Sequence, residues 1–213
     1  MNTVKILSNN KISNSAAVLI FKRSFDFKAG QIIEITTDKS IPPRMYSILS
    51  SETNENIEIL YKIVPEGNLT PKLEHLKKGN NIYVSGPSGK FISTYDPAWL
   101  IAAGTGIAPF ISMIFSGYNS NKKLIHGVKF CTDLYFSNQL TELLSDNYIP
   151  CCSCEADSCF FHGRVTDYLR SLTSLPQNNK YYLCGSTEMV VDSRDILIDK
   201  GVSFQNILSE IYF

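Results

Sequence analysis

The sequence predicts two domains, an antiparallel β-barrel followed by an α/β domain with a parallel sheet. Three observations lead there. Short apolar or alternating runs follow one another closely through the first ninety or so residues. From about Trp99 the rhythm changes to strand alternating with helix. A glycine turn joins the first of those later strands to its helix.

In the first part, residues 16–21, 32–36, 45–49, 57–64 and 82–84 read as strands. Lys-Ala-Gly, Ile-Pro-Pro, Glu-Thr-Asn-Glu-Asn and Lys-Gly-Asn-Asn separate them, all compositions that turn a chain. A short helix at about 70–77 turns Leu73 and Leu76 inward. In the second part, strands at 100–103, 123–128, 148–152 and 181–184 alternate with helices at 108–115, 137–144, 165–172 and 186–200. The last helix has Ser and Thr at its start and Gly201 at its end. Such alternation implies a parallel sheet covered on both faces. The expected domains are 1–95 and 96–213, joined near Phe91–Ala98.

Composition narrows the function. Apolar residues make up 44% and charged residues 19% of the 213, so each domain can bury a core. Twenty basic side chains balance twenty acidic ones, so no overall field points to nucleic acid or a membrane surface. The opening MNTVKILSNNKISNS lacks the apolar run of a signal peptide, and no stretch is long and apolar enough to span a bilayer. The expectation is a cytoplasmic monomer that keeps its six cysteines as thiols.

The sharpest local signal is Leu100-Ile-Ala-Ala-Gly-Thr-Gly-Ile-Ala-Pro-Phe110. Gly104 and Gly106 remove side chains where strand becomes helix, and the amides that follow can hold a pyrophosphate. Thr105 adds a hydroxyl. A tight turn that binds nothing is the plain alternative. In the barrel, Arg44-Met-Tyr-Ser47 offers a guanidinium for a diphosphate, a ring to stack on a flat heterocycle and a hydroxyl for a ring nitrogen. Gly67-Asn-Leu-Thr70 precedes the short helix and offers a second anion site.

Together these pieces resemble the ferredoxin–NADP reductase family, particularly its short bacterial members. The resemblance runs in order through RMYSILS (44–50), VPEGNLTPKLEHLKKGNNIYVSGPSGKF (64–91), AAGTGIAPF (102–110) and LIHGVK (124–129). It continues through GRVTDYL (163–169), LCGSTEM (183–189) and the closing Glu210-Ile-Tyr-Phe213. It implies FAD in the barrel and NADPH, or alternatively NADH, in the α/β domain. By resemblance Arg44 binds the FAD pyrophosphate, Tyr46 packs on the isoalloxazine and Ser47 hydrogen-bonds near flavin N5. Backbone groups of Tyr61, Lys62 and Ile63 flank the flavin, and Gly67, Leu69 and Thr70 form its second phosphate loop. Gly104, Thr105 and Gly106 take the dinucleotide pyrophosphate, and Cys184 and Gly185 lie beside the nicotinamide. The C-terminal tail returns to the flavin, where Tyr212 covers the ring and gates it and Phe213 stacks toward adenine. Ser47, Cys184, Glu210 and Tyr212 are then the groups nearest hydride transfer, with ferredoxin or flavodoxin as the electron carrier.

Two departures stand out. Lys129 and Arg164 match family positions that hold the NADP phosphate, but Cys154 stands where a further arginine is expected. Cys151, Cys152, Cys154 and Cys159 crowd into nine residues, yet neighbours 151 and 152 point to opposite strand faces, so no metal site is expected. His75, His126 and His162 are not expected to act in catalysis. Two other readings stay open: a reductase component for an oxygenase or for free flavins, and a redox- or metal-responsive module on a reductase fold.

Overall fold

The computed structural model describes residues 1–155 and 160–212. These fall into two compact units, one of residues 1–93 with 108–116, the other of 94–107 with 117–213.

The first unit contains strands β1 (Asn2–Lys11), β2 (Ala16–Lys22), β3 (Ile32–Thr36), β4 (Arg44–Ser47), β5 (Asn56–Lys62) and β6 (Asn81–Val84), with helix α1 (Thr70–His75) before β6. Every pairing among these strands is antiparallel, in the order β4-β3-β6-β1-β2-β5. A bridge between Ile48 and Ile59 joins the two edge strands, so the sheet closes on itself as a barrel. Ile6, Leu19, Phe21, Ile33, Ile35, Ile57, Ile59 and Tyr61 fill it. Strand β1 escapes a reading by pattern because NTVKILSNNK buries only Ile6 fully; its ladders to β6 and β2 hold it in place.

Helix α2 (Ala108–Phe115) also packs within this unit. It is apolar almost all round, and Ala108 to Ile114 are buried. Its one buried hydroxyl, Ser112 Oγ, donates to the Ser50 carbonyl at 2.7 Å. Phe110 meets Phe91 with ring centroids 5.8 Å apart.

The second unit is built on β7 (Ala98–Ala103), β8 (Lys122–Val128), β9 (Tyr148–Cys152), β10 (Phe161–His162), β11 (Lys180–Ser186) and β12 (Ile207–Tyr212). Helices α3 (Ser137–Leu144), α4 (Val165–Ser171) and α5 (Thr187–Asp199) lie between them. All strands pair in parallel, in the order β10-β9-β8-β7-β11-β12. The antiparallel barrel and the parallel-sheet α/β unit are the predicted fold class. The central strand β7 is buried almost throughout, as a strand flanked on both edges and both faces must be. The order reverses at β7, and in such sheets the usual place for a ligand is beyond the carboxyl ends of the strands at that point. Ser186 caps α5, its Oγ accepting from the Met189 amide. Where the sequence suggests a tail, residues 207–212 add an edge strand in register with β11.

One buried cation organises the start of β7. Lys122 Nζ donates to the carbonyls of Thr94 (2.9 Å) and Asp96 (2.6 Å). Among the described residues, no helix is long and apolar enough to cross a membrane.

Candidate functional site

In the first unit the decisive feature is a seam. The bridge between Ile48 and Ile59 sets the antiparallel register of β4 against β5. Carried toward the start of β4, that register places Tyr46 across from Tyr61 and Arg44 across from Ile63, yet no ladder forms there among the described residues. The strands splay, and the edge of β5 from Leu60 to Ile63 is left with only its β2 side paired. Such an edge offers backbone donors and acceptors to the rim of a flat heterocycle.

The side chains at the seam suit that role. Arg44 is exposed and makes no ion pair among the described residues. Tyr46 is half-buried, and burial, reinforced by nearby Tyr61, pushes its phenol up to about 12, so it stays neutral. Ser47 is buried at the end of β4. Tyr61 is a core residue whose hydroxyl donates to Asn9 Oδ1 at 3.0 Å. Asn9 Nδ2 in turn donates to the carbonyls of Leu73 and Leu76, which ties α1 to the barrel. The Tyr61 side chain is therefore engaged within the barrel, and the Ile63 amide donates to Ser15 on the β2 side.

The loop before α1 closes on itself. Thr70 Oγ1 accepts from the Val64 amide at 2.9 Å, and the Gly67 amide donates to the Val64 carbonyl. Leu69 is buried and packs into the barrel core. Thr70 thus shapes the loop with its side chain.

In the second unit the glycine turn is a short 3-10 segment, Gly104–Ile107, between β7 and α2. Its two glycines serve different ends. Gly104 has φ +54, a left-handed conformation that favours glycine, and a Cβ there would meet nothing within 4 Å. The space above it is open. A Cβ at Gly106 would run into the Cys184 carbonyl and lie 2.9 Å from Gly185 Cα. Gly106 therefore lets the turn pack on the end of β11, whereas Gly104 serves the left-handed backbone of the turn.

Beneath the turn lies His126, fully buried in β8. Its Nε2 sits 3.1 Å from the Gly104 carbonyl oxygen and its Nδ1 3.5 Å from Tyr148 Oη. A carbonyl only accepts, so Nε2 carries the proton and donates. Burial lowers the imidazole pKa to about 4, which keeps the ring neutral. The sequence shows only a histidine in an apolar strand and gives no sign of this contact.

Three of the residues expected nearest hydride transfer meet here. Parallel pairing sets Cys184 beside Glu210 and Ser186 beside Tyr212. The Cys184 thiol is buried and raised well above its ordinary pKa by desolvation and by Glu210, against a hydrogen bond with Tyr212. It is a neutral thiol at neutral pH. Ser47 belongs to the first unit. Phe213 and Cys159 lie outside the described residues.

The residues expected at the NADP phosphate differ in their surroundings. Lys129 is exposed at the end of β8 and its side chain makes no ion pair among the described residues. Cys154 is exposed, and its amide donates to the Lys129 carbonyl at 3.0 Å. Arg164 precedes α4 and already pairs with Glu188 at 3.2 Å, both side chains well exposed.

Comparison with known proteins bears on this arrangement. Residues 3–92 match the oxidoreductase FAD-binding domain and residues 100–195 the oxidoreductase NAD-binding domain. The ferredoxin–NADP reductase of Pseudomonas aeruginosa is 30% identical, over 86% of this chain and 83% of that protein. The chain belongs to the ferredoxin–NADP reductase family. The flavodoxin/ferredoxin–NADP reductase of Buchnera aphidicola is 28% identical over 92% of this chain and 90% of its own length. Among solved structures, a ferredoxin NADP+ reductase from Neisseria gonorrhoeae with bound FAD and NADP superposes with a TM-score of 0.91 at 23% identity. That match covers 100% of this chain and 98% of the other. In this reductase fold the barrel is the FAD-binding half and the parallel sheet the NAD(P)-binding half, and the chain is an oxidoreductase.

Proposed function

We propose that the protein exchanges a hydride between NADPH and FAD and passes single electrons to or from ferredoxin or flavodoxin. The observation that carries this reading is the splayed seam between β4 and β5, with the exposed guanidinium of Arg44 at one end and a neutral tyrosine beside it. Residues 1–95 hold FAD and residues 96–213 hold the dinucleotide, and the protein acts as a monomer.

The chemistry supplied by the bound cofactors is hydride exchange between nicotinamide and flavin, followed by release of single electrons. The chain's residues bind, orient and exclude water. Arg44 neutralises the FAD diphosphate, with Gly67, Leu69 and Thr70 forming the second phosphate loop. Tyr46 stacks on the ring, and backbone groups of Tyr61, Lys62 and Ile63 meet its edge. Ser47 hydrogen-bonds at the ring nitrogen. In the other unit, the Gly104-Thr105-Gly106 turn holds the dinucleotide pyrophosphate, kept in shape by His126. Cys184, Gly185 and Glu210 line the nicotinamide position, and Cys184 as a neutral thiol contributes contact and polarity without exchanging a proton. Tyr212 covers the flavin until the nicotinamide docks. Lys129 and Arg164 face the ribose phosphate that separates NADPH from NADH, Arg164 by giving up Glu188.

The test is turnover with defined acceptors. With NADPH as donor, reduction of cytochrome c should depend on added ferredoxin or flavodoxin and exceed that with free FMN. Reduction of free flavin alone, indifferent to either carrier, would point to a free-flavin reductase instead.

A further inference from the structure

Among the described residues, the cysteines of the 151–159 run do not form a chelate with one another. Cys151 is buried in the core with Ile101, Ile125 and Leu183, and Cys154 is exposed. Cys152 instead meets Cys131, which lies twenty-one positions earlier in the turn Cys131–Asp133 after β8. Their sulfurs are 3.1 Å apart. Glu155 completes the group: one ligand atom from each of Cys131, Cys152 and Glu155 lies within 4.8 Å of the others. Cys152 is fully buried, Cys131 and Glu155 partly. The apolar side chains of Val128, Leu134 and Phe160 surround the two sulfurs.

The backbone fixes this convergence. β8 and β9 are paired as far as Val128 and Cys152, and the Ser153 and Cys154 amides extend the contact to the carbonyls of Val128 and Lys129. The two connections are thus held together whether or not a ligand binds. All three donors become anionic when they give up a proton, and two thiolates with a carboxylate suit a thiophilic divalent ion.

We propose that Cys131, Cys152 and Glu155 form a binding site for a divalent cation of the zinc type. Tetrahedral coordination with Zn–S bonds of about 2.3 Å sets two sulfurs about 3.8 Å apart. A small rotation of the partly exposed Cys131 side chain provides the difference. Glu155 Oε fills a third position and water the fourth. The ion staples the connection after β8 to the one after β9, independently of flavin or dinucleotide.

The whole flavin-loaded chain, reduced and freed of reductant, is titrated with Co2+ alone and then with Zn2+ alone. One equivalent of Co2+ should give ligand-field bands to the red of the flavin absorption, and Zn2+ should abolish them. Cys131→Ser should weaken Zn2+ binding at least tenfold and Glu155→Gln severalfold, while Cys154→Ser should bind as the parent does. The flavin spectrum of each variant shows that it is folded. Absence of the bands with all thiols reduced overturns the proposal, as does undiminished Zn2+ binding by Cys131→Ser. So does a Cys131–Cys152 disulfide as the form isolated anaerobically.

Discussion

His126 shows how one buried side chain can set both the shape of a turn and a response to acid. Its ordinary pKa of 6.5 falls to about 4 in the folded protein, so the fold favours the neutral ring. The stabilisation is complete above pH 6.5 and is lost as pH falls toward 4, where the loss amounts to about 3 kcal/mol. His126→Gln can still donate an amide N–H to the Gly104 carbonyl and does not titrate. Urea denaturation at neutral pH and near pH 4 should show the parent losing about 3 kcal/mol more than this variant. Equal losses would mean that His126 is not the responsible group.

Two surface positions carry the cofactor predictions. Arg44→Ala should weaken FAD binding roughly tenfold to a hundredfold, because a charge-assisted contact of about 1.5–3 kcal/mol is removed. Flavin retained on dilution and gel filtration measures this. Cys154 is exposed beside Lys129, so Cys154→Arg should raise the NADPH-to-NADH ratio of kcat/KM about tenfold by adding a planar fork to a point charge. At this scale the sequence was a partial guide. Arg44, Tyr46 and Cys184 stand out as candidates from motif and resemblance. His126 could not, because its partner is a backbone carbonyl twenty-two positions away. Cys131 was hidden too, since its thiol partner comes from another strand.

Among elements, the glycine turn divides its work between two residues that a motif treats alike. Gly106→Ala forces a Cβ against the end of β11 and should destabilise the protein by about 1–3 kcal/mol, read as a lower denaturation midpoint. The backbone at Cys184 and Gly185 should shift with it, so nicotinamide binding should weaken as well. The strands with apolar or alternating runs, β2, β5 and β7, were legible because burial writes itself into composition. β1 was not, since its place in the barrel comes from ladders on both edges rather than from apolar alternation. β12 looks like a tail in the sequence, because a partly exposed edge strand carries no continuous apolar run. Its register with β11 is what sets Glu210 and Tyr212 beside Cys184 and Ser186.

For the molecule as a whole, one chain carries an FAD-binding barrel and an NAD-binding sheet. The barrel opens where β4 and β5 part, and the sheet opens where the strand order reverses at β7. The change from short strands to alternating strand and helix made this division visible in the sequence. The place of α2 was not visible, because an all-apolar helix records that it is buried but not against what. The central claim is that both cofactors bind and react on this one chain. It is tested most directly by the visible spectrum of the purified protein under anaerobic addition of NADPH. Bound FAD bleached rapidly, and faster by NADPH than by NADH, is the predicted result. A protein that binds no flavin, or whose flavin neither dinucleotide reduces, would contradict it.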